Sequence, residues 1–448
     1  MAQPPNIVLI TWHDAGRHFG CYGHPTVHTP NVDRLAREGC RFENMIAACA
    51  ICSPSRAAIA TGRYCQDSGV MYLTNTVNSN RLHPSERHIA KRLKEDHGYH
   101  TALFGVQHEC AHEHVSEVIA PDDRLAVHPW PQAPVSAENF ERWMAARAGD
   151  GRPFYAQIGF FEAHLNAFYS GSPPERYPQE PDTERGLTVP PYLADNPRAR
   201  ETLAHLQGLL RRGDEAIGRI LTTIEKAGVN DNTLVVMCVD HGVGIPRAKT
   251  TCYDSGIGVS WILRWPGRIP AGSLVRAMAT HVDVLPTVFD LMGLPVPENV
   301  EGVSFAGHVL GRRDEELRDE VFSHMVENTR SIRTTTHKLI RNFRPPQPGG
   351  GYATKLEVAP EVAIYAAKPP HVELYDLEAD PQELRNLADD PEHSARRAEL
   401  DARLWDFLLD HNDFIVNEPV DSDWQKVTRR HLEEHCRAAG RPVPVIDG

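Results

Sequence analysis

A cysteine, a proline two residues on and an arginine four residues on open a run of small residues: Cys52-Ser53-Pro54-Ser55-Arg56, then Ala57 to Ala60, then Thr61-Gly62-Arg63. A lone cysteine is usually a packing residue, but its neighbours here argue for chemistry. Pro54 suits the first turn of a helix, because its fixed φ fits and its missing N–H has no partner there anyway. Cys52 then falls at the helix N-terminus, where unpaired N–H groups and the helix dipole favour an anion. Arg56, one turn in, adds a permanent charge and a planar fork of donors suited to a tetrahedral oxyanion.

Four further polar clusters close apolar runs: His13-Asp14, Gln107-His108, Glu162-Ala163-His164 and Asp240-His241. Singly, each reads as a strand-terminating turn or a satisfied structural histidine. The runs before them (Ile7 to Thr11, Thr101 to Val106, Phe154 to Phe161 and Thr233 to Val239) have the texture of buried parallel strands. In one parallel sheet these ends share an edge, the edge at which open α/β sheets bind ligands. The clusters are therefore expected to converge on Cys52.

The intervening segments supply the helices that position these strands. Thr29-Pro30-Asn31 is expected to cap and open one that stops at Gly39; Arg87 to Asp96 is another. Arg198 to Ala227 repeats apolar residues at the spacing of a long core-facing helix. Residues 171–197, rich in Pro, Gly and acids, read as a long surface loop. After about residue 320, short strands at Glu320-Val321-Phe322, Ser331 to Thr335 and His337 to Ile340 suggest an antiparallel sheet, with a Pro/Gly break at 345–351 and a closing helix at Arg396 to His411. The expected fold class is α/β: a doubly wound, mostly parallel sheet flanked by helices (1–318), with a smaller C-terminal α+β domain containing the antiparallel sheet (319–448).

The 448 residues suit a large domain plus a smaller one. A net charge of −13 argues against a nucleic-acid partner and requires any anionic substrate to be drawn in by local charge. Nine irregularly spaced cysteines without paired zinc-type CxxC sets argue against a disulfide framework or a zinc module. No apolar run is long enough to span a bilayer, and the start runs straight into a strand, so no membrane association and a cytoplasmic location are expected.

The stretch from Cys52 to Arg63 resembles the maturation signature of the sulfatase family, and the order of motifs is similar over nearly the whole chain. Lys249 ahead of Tyr253 and Gly256, Arg264-Trp265-Pro266-Gly267, His281-Val282-Asp283 and Glu373-Leu374-Tyr375-Asp376 are also family-like. Gly244-Ile245-Pro246 and Phe161 to His164 are most similar to the sulfamidases, the N-sulfoglucosamine sulfohydrolases. The resemblance implies an alkaline-phosphatase-like fold and a hydrolase that releases sulfate from a small sulfated sugar, by breaking an ester or sulfamate bond. Cys52 would be oxidised by a separate maturation enzyme to formylglycine, whose hydrate is the nucleophile. It further implies one divalent metal on Asp14, Asp240, His241 and the modified Cys52, with Arg56 holding the hydrate, Lys249 the sulfate, and His108 or His164 as general acid. Glu162 and Gln107 would contact substrate.

This chain departs from the family pattern at several points. The first acidic metal position is His13, a further candidate ligand; two imidazoles move the expected ion from calcium towards manganese. The lysine expected two residues before His108 is Val106, the proline before His164 is Ala163, and an arginine after Tyr253 becomes Gly258. These changes keep two alternatives open: a phosphonate or phosphate diester hydrolase on the same formylglycine apparatus, and a catalytically silent binding protein.

Overall fold

Asn6–Trp12 (β1) is buried along its whole length because it lies between two parallel partners, Phe154–Phe160 (β6) and Thr233–Val239 (β7). The computed structural model describes residues 4–74, 81–125, 132–165, 180–326, 329–344, 356–367 and 370–445. The expected break at 345–351 and part of the 171–197 loop lie outside them. Beyond β6 the parallel set continues through His100–Gly105 (β4) and Asp123–Leu125 (β5). Beyond β7 lie Trp261–Arg264 (β9), antiparallel to both its neighbours, then Cys40–Phe42 (β2) and Ser273–Val275 (β10). The order is β10-β2-β9-β7-β1-β6-β4-β5.

A small ribbon, Met45–Ile46 (β3), Gly258–Val259 (β8) and Ala279–Thr280 (β11), stands beside the large sheet. The C-terminal sheet is antiparallel: Val321–Met325 (β12), Thr329–Arg333 (β13), His337–Asn342 (β14) and Val372–Asp376 (β15). The α/β architecture with a smaller antiparallel unit is thus the one the sequence suggests.

Helices Pro30–Glu38 (α1), Cys52–Thr61 (α2), Ile89–His97 (α3), Ala133–Ala146 (α4) and Pro197–Lys226 (α5) flank the large sheet. A Cβ at Gly213 of α5 would come within 2.2 Å of the Trp12 ring, so only glycine lets α5 settle on the end of β1. Thr29 was expected to cap α1, but its hydroxyl accepts from Gly20 instead. Asp214 of α5 does the capping, accepting from the N–H groups of Asn31 and Val32, a partner distant in sequence.

Ile332, Leu339, Leu374, Leu404 and Trp405 form the core of the C-terminal unit, where Ser394–Asp410 (α6) fills the expected closing helix. A further helix, Asp423–Ala439 (α7), was not anticipated; its sequence is mostly polar, and only Thr428, Leu432 and Cys436 are buried. The expected boundary at 318/319 is not clean. Leu356, Ala359 and Val362 return to the large core, and Ala359 donates its N–H to Tyr192.

Two junctions lock the units together. Cys49 pairs with His324 of β12 in a parallel bridge just ahead of α2, fixed by Ala50 N–H to the His324 carbonyl at 3.1 Å. Arg63 lies within 3.6 Å of Asp67, Glu86 and Glu301, and His411 Nδ1 is 2.5 Å from Asp67 and 3.1 Å from Glu301. Burial opposes the charged imidazole, but these two carboxylates raise His411 to about 9. Raised above its free value, it stabilises the fold fully below about pH 6.5, and that contribution fades as pH rises through 9. His411→Gln should therefore melt below wild type at about pH 6, with the gap closing by about pH 10; thermal melts across that range check it.

Candidate active site

Helix α2 begins at Cys52 and all ten of its residues are buried, which the small side chains of Ala57, Ala58 and Ala60 permit. Ile51 at the N-cap offers no side-chain acceptor, so the helix enters the site without a side-chain cap. Gly62, at φ 71°, closes the far end with its N–H on Ala58. Ser55 and His281 tie the helix to the end of β7: Ser55 Oγ lies 2.8 Å from His281 Nδ1 and donates to the Asp240 carbonyl, and His281 Nε2 donates to Val239 O at 3.0 Å.

His13, Asp14, Cys52, Asp240 and His241 are all buried, with ligand-capable atoms within 4.8 Å of one another. Asp240 Oδ1 accepts from the N–H groups of Asp14, at 3.0 Å, and His241, at 2.8 Å. Asp14 holds a left-handed φ of 49°, a conformation uncommon for a residue with a side chain. Lys249 Nζ donates to both Asp14 oxygens, at 3.0 and 2.8 Å, and lies 3.2 Å from His164 Nε2. Thr250, at φ 68°, secures this loop to the strand before α2 by donating its N–H to Ala50 O. Arg56 donates Nε to Asp240 Oδ2 at 3.0 Å and Nη1 to Thr11 Oγ1 at 2.9 Å, while its buried Nη2 makes no hydrogen bond among the described residues.

Burial opposes ionisation throughout, and local charge overrides it. Lys249, His164 and His241 hold Asp14 well below the usual carboxylate range; His241, His13 and Arg56 do the same for Asp240. Asp240, Cys52 and Asp14 lift His13 to about 10, and Lys249, His13 and His241 depress the Cys52 thiol well below its ordinary value. The pocket therefore favours negative charge at residue 52.

The donor set fits a divalent ion: two carboxylates and two imidazoles surround one point. His13 Nδ1 faces both carboxylates, 3.0 Å from Asp240 Oδ2 and 3.5 Å from Asp14 Oδ1, and its Nε2 is buried without a hydrogen bond among the described residues. An imidazole gathered with two carboxylates in this way is in keeping with a ligand role.

Residues 5–294 match the family model described as Sulfatase, and residues 247–349 match that for the C-terminal region of N-sulphoglucosamine sulphohydrolase. The chain belongs to the sulfatase family. Its relatives include an ulvan-active sulfatase of Formosa agariphila, 24% identical over 89% of this chain and 74% of the relative. Human N-sulphoglucosamine sulphohydrolase is 26% identical over 87% of each chain. Among solved structures, an enzyme in complex with its substrate D-glucosamine-2-N,6-O-disulfate superposes with a TM-score of 0.67 at 21% identity, covering 92% of this chain and 98% of that one. The phosphonate monoester hydrolase of Agrobacterium radiobacter gives 0.68 at 19%, covering 93% and 98%. These likenesses establish the alkaline-phosphatase-like fold, and the family makes this sulfatase a hydrolase.

Two residues expected to contact substrate hold structural hydrogen bonds. Glu162 accepts the Ala133 N–H with both oxygens, at 3.0 and 2.8 Å, and so caps α4; burial raises its carboxyl to about 7. Gln107 spends its amide on its own loop, donating to Cys110 O and accepting from Glu109 and Cys110 N–H. Burial also sets the state of the two histidines. Burial and Lys249 push His164 down to about 3, and burial also lowers His108, so both are neutral in the free site. Beside the charged Lys249 ammonium, His164 Nε2 is an acceptor.

Several contributors went unassigned. Glu109 is buried beside His108, accepts its N–H at 2.9 Å and takes Gln157 on its other oxygen. Ser55 and His281 lay within motifs already noted; Thr11 had only its place at a strand end as a signal. Glu162→Ala should lower stability by about 1–3 kcal/mol through the lost cap while leaving kcat and KM unchanged; a substrate-contact role would raise KM with no change in melting temperature.

Proposed function

We propose that this protein is a formylglycine-dependent sulfatase that releases inorganic sulfate from a small sulfated sugar of the N-sulfoglucosamine type. The observation that carries the reading is Cys52 at a helix N-terminus without a side-chain cap, in a buried field that depresses its thiol strongly, with Arg56 and Lys249 alongside. The Cys52 sulfur stands for the oxygens of the hydrated aldehyde, and the charges that stabilise a thiolate would equally stabilise an ionised hydroxyl. The C-terminal match and the human relative support a sulfamate or glucosamine substrate.

The chain's own groups divide the work. The unpartnered Nη2 of Arg56 is the donor left for a hydroxyl at residue 52. Lys249, held between Asp14 and His164, presents an ammonium to sulfate oxygens. His108, set against Cys52, is the better placed of the two histidines for proton transfer: neutral in the free site, it can take the proton of a hydroxyl at residue 52 and pass it to the leaving group, whereas His164 Nε2 already receives Lys249. A divalent ion on Asp14, Asp240, His241 and His13 would supply Lewis-acid charge to the sulfate and the nucleophile. This nitrogen-rich set suits manganese better than calcium.

A second reading, phosphonate monoester hydrolysis, draws on the imidazole-bearing metal set and on the phosphonate hydrolase among the structural neighbours. Mass spectrometry across Cys52 in protein from its native host should show formylglycine; an intact thiol there would sink the mechanism and favour a silent binding protein. Of N-sulfoglucosamine, an aryl sulfate and an aryl phosphonate monoester, the first should be turned over fastest. Cleavage of the phosphonate without N-sulfoglucosamine would select the second reading. In metal titrations of chelator-stripped protein, manganese should bind more tightly than calcium, and His13→Asp should reverse that order.

A further inference from the structure

Behind the catalytic centre, between α5, the loop after β1 and the loop at 377–383, lies a cavity of about 520 Å³. One wall is apolar, formed by Val27, Tyr192, Leu203, Leu206 and Leu210; Arg17 stands in another. The Arg17 guanidinium is anchored on carbonyls, Met45 O at 3.0 Å and Val259 O at 3.5 Å, and among the described residues it forms no ion pair. Asp254, the acid beside it, is taken by both arms of Arg333, at 3.1 Å each, and by Lys338; Lys338 also takes Glu383 at 2.8 Å.

The position is made for this arginine. A Cβ at Gly258 would lie 2.6 Å from Asp254 O and 3.1 Å from Arg17 Cζ, so glycine there leaves the guanidinium its room. Burial lowers the Arg17 pKa more than the nearby Asp254 raises it, and Arg333 lowers it further. His18 and His24 stack at 4.5 Å in the same wall, both shifted down by burial and so neutral, able to meet hydroxyls without adding charge. Asp14 is three residues upstream, but close-packed backbone at Gly16, Gly242 and Gly256 separates the two spaces, with Gly16 N–H on His241 O and Gly242 N–H on Gly256 O.

We infer that this cavity binds a small monoanion, an oxyanion head (carboxylate or sulfate) on a ring-sized body, with Arg17 holding the head and the Tyr192–Leu206 side receiving the ring. A guanidinium outside any ion pair, whose neighbouring acid is already held by Arg333 and Lys338, stands beside an apolar wall of that size; this matches such an amphipathic ligand and leaves a neutral sugar without its main anchor. The inference does not rest on the reading of Cys52.

Calorimetric titration of full-length Cys52→Ala protein with inorganic sulfate, glucuronate and glucose tests it. Glucuronate should bind saturably and glucose should not. Arg17→Gln should weaken glucuronate by about tenfold or more. Thr188→Trp, which narrows the exposed mouth and leaves Arg17 in place, should weaken glucuronate more than sulfate. Sulfate binding as tightly as glucuronate would mark the head alone as the ligand; tighter glucuronate would mark the ring. No saturable binding of either anion, or binding that both variants leave unmoved, which would place the anion at Lys249, would overturn the proposal.

Discussion

The Asp240 carboxylate is the interaction on which the rest depends. It ends β7, accepts backbone N–H groups from the ends of two strands, receives Arg56 from α2 and faces His13. Remove it and β1, β7 and α2 lose their common anchor, while a buried arginine loses its carboxylate partner. A buried ion pair of this sort adds little net stability over an apolar core. What it does is fix one arrangement, because each member is costly to leave unpaired.

Charge is concentrated to the same end. The chain carries a net −13, yet Arg56, Lys249, His13 and His241 are packed around two carboxylates in a space closed to water. An approaching anion meets an overall field that repels it and a local one that attracts it. Desolvation strengthens the local field, so selectivity is decided within the last few ångströms.

Much of this was legible in the sequence because buried parallel strands are unbroken apolar runs, and their polar ends are forced onto one edge. The five metal-set residues and Lys249 followed from that edge together with the family resemblance. What stayed hidden has a common cause: the partner is far away in sequence. Glu162 looks like a pocket residue until Ala133 is folded against it, and Thr29 looks like a cap until Asp214 arrives from α5. The lowered pKa values of His108 and His164 were hidden too, because burial sets them. Helix α7 escaped because its buried stripe is only three residues wide.

The parallel bridge between Cys49 and His324 has a consequence in time as well as space. It joins the strand feeding α2 to a sheet made some 270 residues later in the chain. Once that sheet docks, Cys52 is 2% exposed and its helix is enclosed on every side. Any macromolecule that must grasp this side chain has to do so while the C-terminal third is still undocked. For the oxidation of Cys52 that the proposed function requires, the order of assembly, and not the stability of the finished fold, would set the window.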